Sequence, residues 1–165
     1  MRKRRHKVMN PPDEQNETAT REPTVQRSRN KPGVLVVDDE HMVRIMVQLG
    51  LERDGFKVLL AANGREAIDI FRAHREEIAV VLLDVRMPGL DGVQTLNSLR
   101  ELDCQVPACF MSGNTGAHEP DELLQCGAAH VIAKPFRPDA LANILRLLTN
   151  GAPAELLPSG GGCQP

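Results

Sequence analysis

Val34-Leu35-Val36-Val37-Asp38-Asp39 is the stretch that decides how this chain folds. Four aliphatic residues in a row leave no polar face, which reads as a short strand buried on both sides, the pattern of a parallel sheet. The same pattern returns twice. Ala79-Val80-Val81-Leu82-Leu83 ends in Asp84, and Val131-Ile132-Ala133 ends in Lys134, followed by Pro135-Phe136. Ligands of open parallel sheets bind beyond the carboxyl ends of the strands. Side by side, these three ends would bring three carboxylates and one ammonium to one place.

Working outward, strands and helices alternate. The first strand covers about 34–38. A helix follows from about 41 to 54, with Met42, Ile45, Met46 and Leu49 on one face and Gly55 as its stop. Lys57–Ala61 is the second strand. Asn63 with Glu66 three residues on reads as a helix start of capping-box type, and that helix runs to about Glu76 with Ala67, Ile68 and Phe71 inward. The third strand is 79–84. Pro88-Gly89 and Gly92 mark a loop, and the next helix turns Val93, Leu96 and Leu99 inward. Pro107 opens a fourth strand through Met111. A short helix near 119–126 stops at Gly127, and the fifth strand is about 130–133. Pro138 opens a last helix lined by Leu141, Ile144, Leu145 and Leu148.

Five β-α units predict an α/β fold: a doubly wound, five-stranded parallel sheet with helices on both faces. The flavodoxin-like strand order 2-1-3-4-5 is the expectation, because it sets strands one and three together at the switch point, where Asp38, Asp39 and Asp84 converge.

The flanks differ from this core. Residues 1–33 carry nine Lys/Arg against four Asp/Glu, whereas 34–149 carry eleven against seventeen. Residues 1–32, polar and proline-rich, are expected to be a disordered basic leader, and 150–165 a flexible tail. The intervening 33–149 is the folded domain. No aromatic is interleaved with the leader's charges, so base stacking has no support and nucleic-acid contact is disfavoured. No apolar stretch approaches a membrane span, and no apolar region follows the basic N-terminus as in a signal peptide. Cys104, Cys109, Cys126 and Cys163 lack C-x-x-C spacing and suit a reducing cytoplasm. Too few residues follow Asn150 for an output domain, so the domain is expected to act alone.

Three carboxylates in one place repel and raise each other's pKa unless a cation sits among them. Mg²⁺ is the natural choice, because it takes oxygen ligands and binds through one or two carboxylates plus a phosphate. Asp38 and Asp39 are the candidate ligands, with the backbone carbonyl of Arg86 as a further oxygen. Asp84 is the candidate nucleophile, able to form an acyl phosphate. Lys134 would neutralise the transferring oxygens, and the Ser112 hydroxyl, at the end of the fourth strand, can donate to one of them. A cis Lys134–Pro135 peptide would suit that aim. Any of these residues alone is more simply a cap or a surface residue; their occurrence at four strand ends is what points to chemistry.

Residues 33–149 resemble the receiver domain of bacterial two-component response regulators. The resemblance rests on Val-Val-Asp38-Asp39-Glu40, Leu-Leu-Asp84-Val-Arg-Met-Pro88-Gly89-Leu-Asp91-Gly92, Met-Ser112-Gly and Ala-Lys134-Pro135-Phe136. It implies that Asp84 accepts a phosphoryl group from a histidine kinase or His-containing phosphotransfer protein. It also implies Mg²⁺ at Asp38, Asp39 and Asp84, with Ser112 and Lys134 sensing the phosphoryl group. A phosphorylatable switch docking on a downstream protein is the expected function, catalysing only its own phosphorylation and dephosphorylation.

One position departs from the family pattern. Receivers usually carry Tyr or Phe three residues before the Lys, and here Val131 stands there, which takes away the familiar aromatic switch. His130, its neighbour, points to the opposite face and is expected at the surface. Arg86 and Asn114, two residues past Asp84 and Ser112, border the site. The alternative is a phosphate-independent interaction module, with Val131 as its support. A phosphatase of the haloacid dehalogenase type is set aside, because Arg86 and Glu40 stand where a second Asp would follow Asp84 or Asp38.

Overall fold

A computed structural model describes residues 31–113 and 120–151. The basic leader, the C-terminal tail beyond Gly151 and Asn114 lie outside the described residues. Element order is β1 (Gly33–Val37), α1 (His41–Arg53), β2 (Lys57–Ala61), α2 (Gly64–His74), β3 (Ile78–Asp84), α3 (Gly92–Leu102), β4 (Ala108–Gly113), α4 (Pro120–Gln125), β5 (His130–Lys134) and α5 (Pro138–Thr149). A 3-10 turn at Arg75–Glu77 joins α2 to β3, so the second helix stops two residues earlier than its apolar pattern implies. All strand pairs are parallel and the order is β2-β1-β3-β4-β5, as expected.

Alternation along β1 explains the layers. Leu35 and Val37 point into one core with Ala67, Phe71, Leu96, Leu99 and Leu123, which belong to α2, α3 and α4. Val34 and Val36 point into the other, with Val47 and Leu51 of α1 and Leu141, Leu145 and Leu148 of α5. Both faces of the sheet are therefore covered, and every β1 side chain is buried. Asn63 caps α2 by accepting from the Glu66 N–H at 2.9 Å, and Glu66 reaches back to the Ala62 N–H. Asp91 and Gln94 form a full capping box at the start of α3. Gly92 lets that helix start press on the site strand: a Cβ there would meet the Asp84 carbonyl oxygen at 2.3 Å.

Two placements differ from the sequence reading. In α1, Val43, Val47 and Leu51 face the core, while Met42 and Leu49 are 74% and 65% exposed. Two apolar stripes share this helix, and its packing against α5 selects the second: Gly50 approaches Pro138 so closely that a Cβ would lie 2.6 Å from the proline Cβ. His130 is 8% exposed and buried, not at the surface. It pairs in register with Cys109, whose side chain lies in the α1–α5 core, so that helical layer covers it.

Burial holds His130 below its ordinary value of 6.5. A lowered base is protonated more readily in the unfolded chain, so its contribution to stability is present above pH 6.5 and is lost as pH falls through the folded pKa. Unfolding free energy is therefore expected to fall between about pH 7 and pH 5, and His130→Gln should flatten that slope. Chemical denaturation across this range checks it. Burial also pushes the Cys109 thiol up to about 12, which makes it a core hydrophobe rather than a nucleophile.

Candidate functional site

β1, β3 and β5 end at the same edge of the sheet, and there the ends meet. The Lys134 ammonium donates to Asp38 Oδ2 at 2.7 Å and to Asp84 Oδ1 at 2.6 Å. It thus bridges two carboxylates that are 0% and 7% exposed. The Lys134–Pro135 peptide is cis.

Asp38 follows the last residue of β1, and its Oδ1 accepts the Glu40 N–H at 2.8 Å. Asp84 ends β3, and its Oδ2 accepts the Arg86 N–H at 2.8 Å. Each carboxylate thus has one oxygen on the ammonium and one on a main-chain amide two residues ahead. Burial raises the Asp84 carboxyl above its ordinary value; the hydrogen bond and charge of Lys134 pull it back in part, and Asp38 adds repulsion. Burial acts to lower Lys134, but its hydrogen bonds to Asp38 and Asp84 outweigh it and hold the ammonium above its ordinary range. The two directions agree once desolvation is counted separately for each partner: the bridge favours both charges, and Asp84 loses more from burial than one ammonium returns.

Of the other expected residues, Asp39 is exposed beside the bridge. Ser112 is half-buried at the end of β4, and its hydroxyl donates to the Gly113 carbonyl at 3.3 Å instead of joining the bridge. Arg86 contributes its amide to Asp84, a role the sequence reading had not given it. Val131 is half-buried and packs against the α2–α3–α4 core, in register with the buried Phe110. Sequence reasoning missed Arg44. Its Nη1 donates to the Asp38 and Asp39 carbonyls at 2.6 and 3.0 Å. The available signal was a cation in the first turns of α1, where the helix dipole disfavours one.

Asp38, Asp39 and Asp84 against one ammonium leave an excess of negative charge, which the Arg44 guanidinium offsets in part from the loop side. Among the described residues, no group of three or more His, Cys, Asp or Glu side chains is arranged to hold a metal ion as it stands, and Lys134 bridges the two buried carboxylates. The donor chemistry nonetheless fits a small hard dication, because all three side chains offer carboxylate oxygens and two of them are buried at the strand ends. Among the described residues, no helix is long and apolar enough to cross a membrane.

Known proteins share this fold. A family model described as the response regulator receiver domain matches residues 34–146. Regulatory protein AtoC of Escherichia coli (strain K12) is 35% identical over 113 residues, 68% of this chain and 24% of AtoC. Transcriptional regulatory protein PrrA of Mycobacterium tuberculosis is 37% identical over 105 residues, 64% of this chain and 44% of PrrA. The chain thus spans less than half the length of these curated relatives. A crystal structure of a response regulator receiver domain protein from Clostridium thermocellum superposes with a TM-score of 0.68 at 26% identity, covering 72% of this chain and 94% of that one.

Proposed function

We propose that this chain, which belongs to the response regulator receiver domain family, takes a phosphoryl group on Asp84 and signals by docking on a partner protein. The observation that carries this reading is the bridge of Lys134 across Asp38 and Asp84, from residues 96 and 50 positions away in sequence. A bare strand-end carboxylate caps or faces water. A buried carboxylate, held on one oxygen by an ammonium and on the other by an amide, is oriented for attack.

The donor is a phosphohistidine of a histidine kinase or phosphotransfer protein. An Asp84 oxygen forms the bond to phosphorus, the phosphorus–nitrogen bond breaks, and the histidine ring leaves with the electron pair and takes up a proton. Asp38, Asp39, Asp84 and the Arg86 carbonyl would hold Mg²⁺, which when bound screens charge on the transferring oxygens. Lys134 remains protonated and is the side-chain cation facing those oxygens, and the Ser112 hydroxyl is free to rotate from the Gly113 carbonyl to donate to one of them. Hydrolysis of the acyl phosphate resets the switch, so the catalysis is confined to the protein's own phosphorylation and dephosphorylation. The receiver in this reading spans 33–149 and acts in the cytoplasm on a downstream protein. Val131 places the output elsewhere than in an aromatic rotamer.

Incubation with Mg²⁺ and phosphoramidate tests it. The expected product carries one hydroxylamine-labile phosphoryl group, and chelation of Mg²⁺ should slow its formation at least ~100-fold. A folded protein that stays unmodified, or that is modified equally fast without Mg²⁺, would contradict the reading.

A further inference from the structure

Arg44 stands four residues after the α1 N-cap, Glu40. A cation there opposes the helix dipole by roughly 0.3–1 kcal/mol. At this helix start Glu40 makes no side-chain cap hydrogen bond, and the first turn holds no acidic residue. Side chains on a helix lean toward its N-terminus, so the guanidinium reaches back over that turn. It donates to two successive main-chain carbonyls, Asp38 O at 2.6 Å and Asp39 O at 3.0 Å. Its other terminal nitrogen lies 3.4 Å from His41 Nδ1.

The consequence is clearest at Asp38. Its N–H donates to the Ala61 carbonyl at 3.2 Å, Oδ1 accepts from the Glu40 N–H, and Oδ2 accepts from Lys134. Arg44 supplies the partner of the remaining polar atom, the carbonyl oxygen. Asp39 is exposed, and the same guanidinium ties its carbonyl to α1. A single guanidinium nitrogen, Nη1, shared by two consecutive carbonyls restrains the orientation of both peptide planes, and with them the directions in which the two side chains leave the chain.

We infer that Arg44 is a positioning residue that sets the Asp38–Asp39 pair for a dication, touching neither metal nor phosphoryl group. The inference rests on the reading of Asp38 and Asp39 as metal ligands. Groups that orient metal ligands typically account for 10- to 100-fold in affinity. In the full chain, R44A should raise the Mg²⁺ dissociation constant, read by titration calorimetry, by about 10-fold or more. The Mg²⁺ concentration giving half-maximal phosphorylation by phosphoramidate should rise by the same factor. At saturating Mg²⁺ the rate should return to within about twofold of wild type, as expected when only metal binding is impaired. R44K keeps the charge, but its ammonium ends about one bond short of Nη1 and is not planar, so it should fall between the two.

An unchanged dissociation constant in folded R44A would overturn the inference, as would a rate that saturating Mg²⁺ does not restore. R44K equal to wild type would show that positive charge alone suffices and would overturn the positioning role, and it remains informative if R44A does not fold. Wild-type protein that binds no Mg²⁺ would instead overturn the underlying reading of Asp38 and Asp39.

Discussion

Asp84→Asn is expected to abolish phosphoryl incorporation while leaving the protein folded. The amide keeps the volume of the carboxylate and one carbonyl acceptor for the Lys134 ammonium, 2.6 Å away in the wild type. It lacks a nucleophilic oxygen, so no acyl phosphate can form. It also removes a charge that burial disfavours and that Asp38 repels. Against this, an Asn offers one acceptor where two donors, Lys134 and the Arg86 N–H, compete. These effects oppose each other, and the net change in unfolding free energy should stay on the order of 1 kcal/mol. Phosphorylation assayed beside denaturant unfolding separates the two. A variant that still accepts a phosphoryl group at the wild-type rate would show that Asp84 is not the acceptor.

Lys134→Met should have the largest effect on stability. The ammonium lies against two carboxylates whose side chains are 0% and 10% exposed, and its own side chain is 20% exposed. Methionine fills the space but leaves the carboxylates facing each other without a cation. Breaking a fully buried ion pair costs about 3–5 kcal/mol; partial exposure of the lysine brings the expected loss to about 2–3 kcal/mol at neutral pH. Because the penalty is charge repulsion, added Mg²⁺ should recover part of it in the variant, by binding the folded state alone. Denaturant unfolding with and without Mg²⁺ checks this, and a loss unaffected by Mg²⁺ would point to packing instead of charge.

The site was legible where topology did the work. The runs ending at Asp38, Asp84 and Lys134 are apolar throughout, so each reads as a two-sided strand, and parallel order then carries their ends to one edge. What stayed illegible depended on choices between equal local options. In α1, Met42, Met46 and Leu49 form as good an apolar stripe as Val43, Val47 and Leu51, and packing on the sheet and on α5, where Gly50 approaches Pro138 closely, selects the second. A single polar residue in an apolar strand, His130, gives no periodic sign of its burial. Arg44 escaped because its acceptors are backbone carbonyls, which no residue type reveals. Ser112 was correctly placed at a strand end, but its hydroxyl bond to Gly113 depends on a rotamer that sequence does not encode.

Localising the phosphoryl group tests the central claim most directly. Borohydride reduces an aspartyl phosphate to homoserine and leaves ordinary carboxylates intact. Peptide mass spectrometry of protein treated with phosphoramidate and Mg²⁺, then borohydride, should find homoserine at position 84 alone. Conversion at another aspartate, or none in folded protein, would contradict the account and favour an interaction module that does not use phosphate.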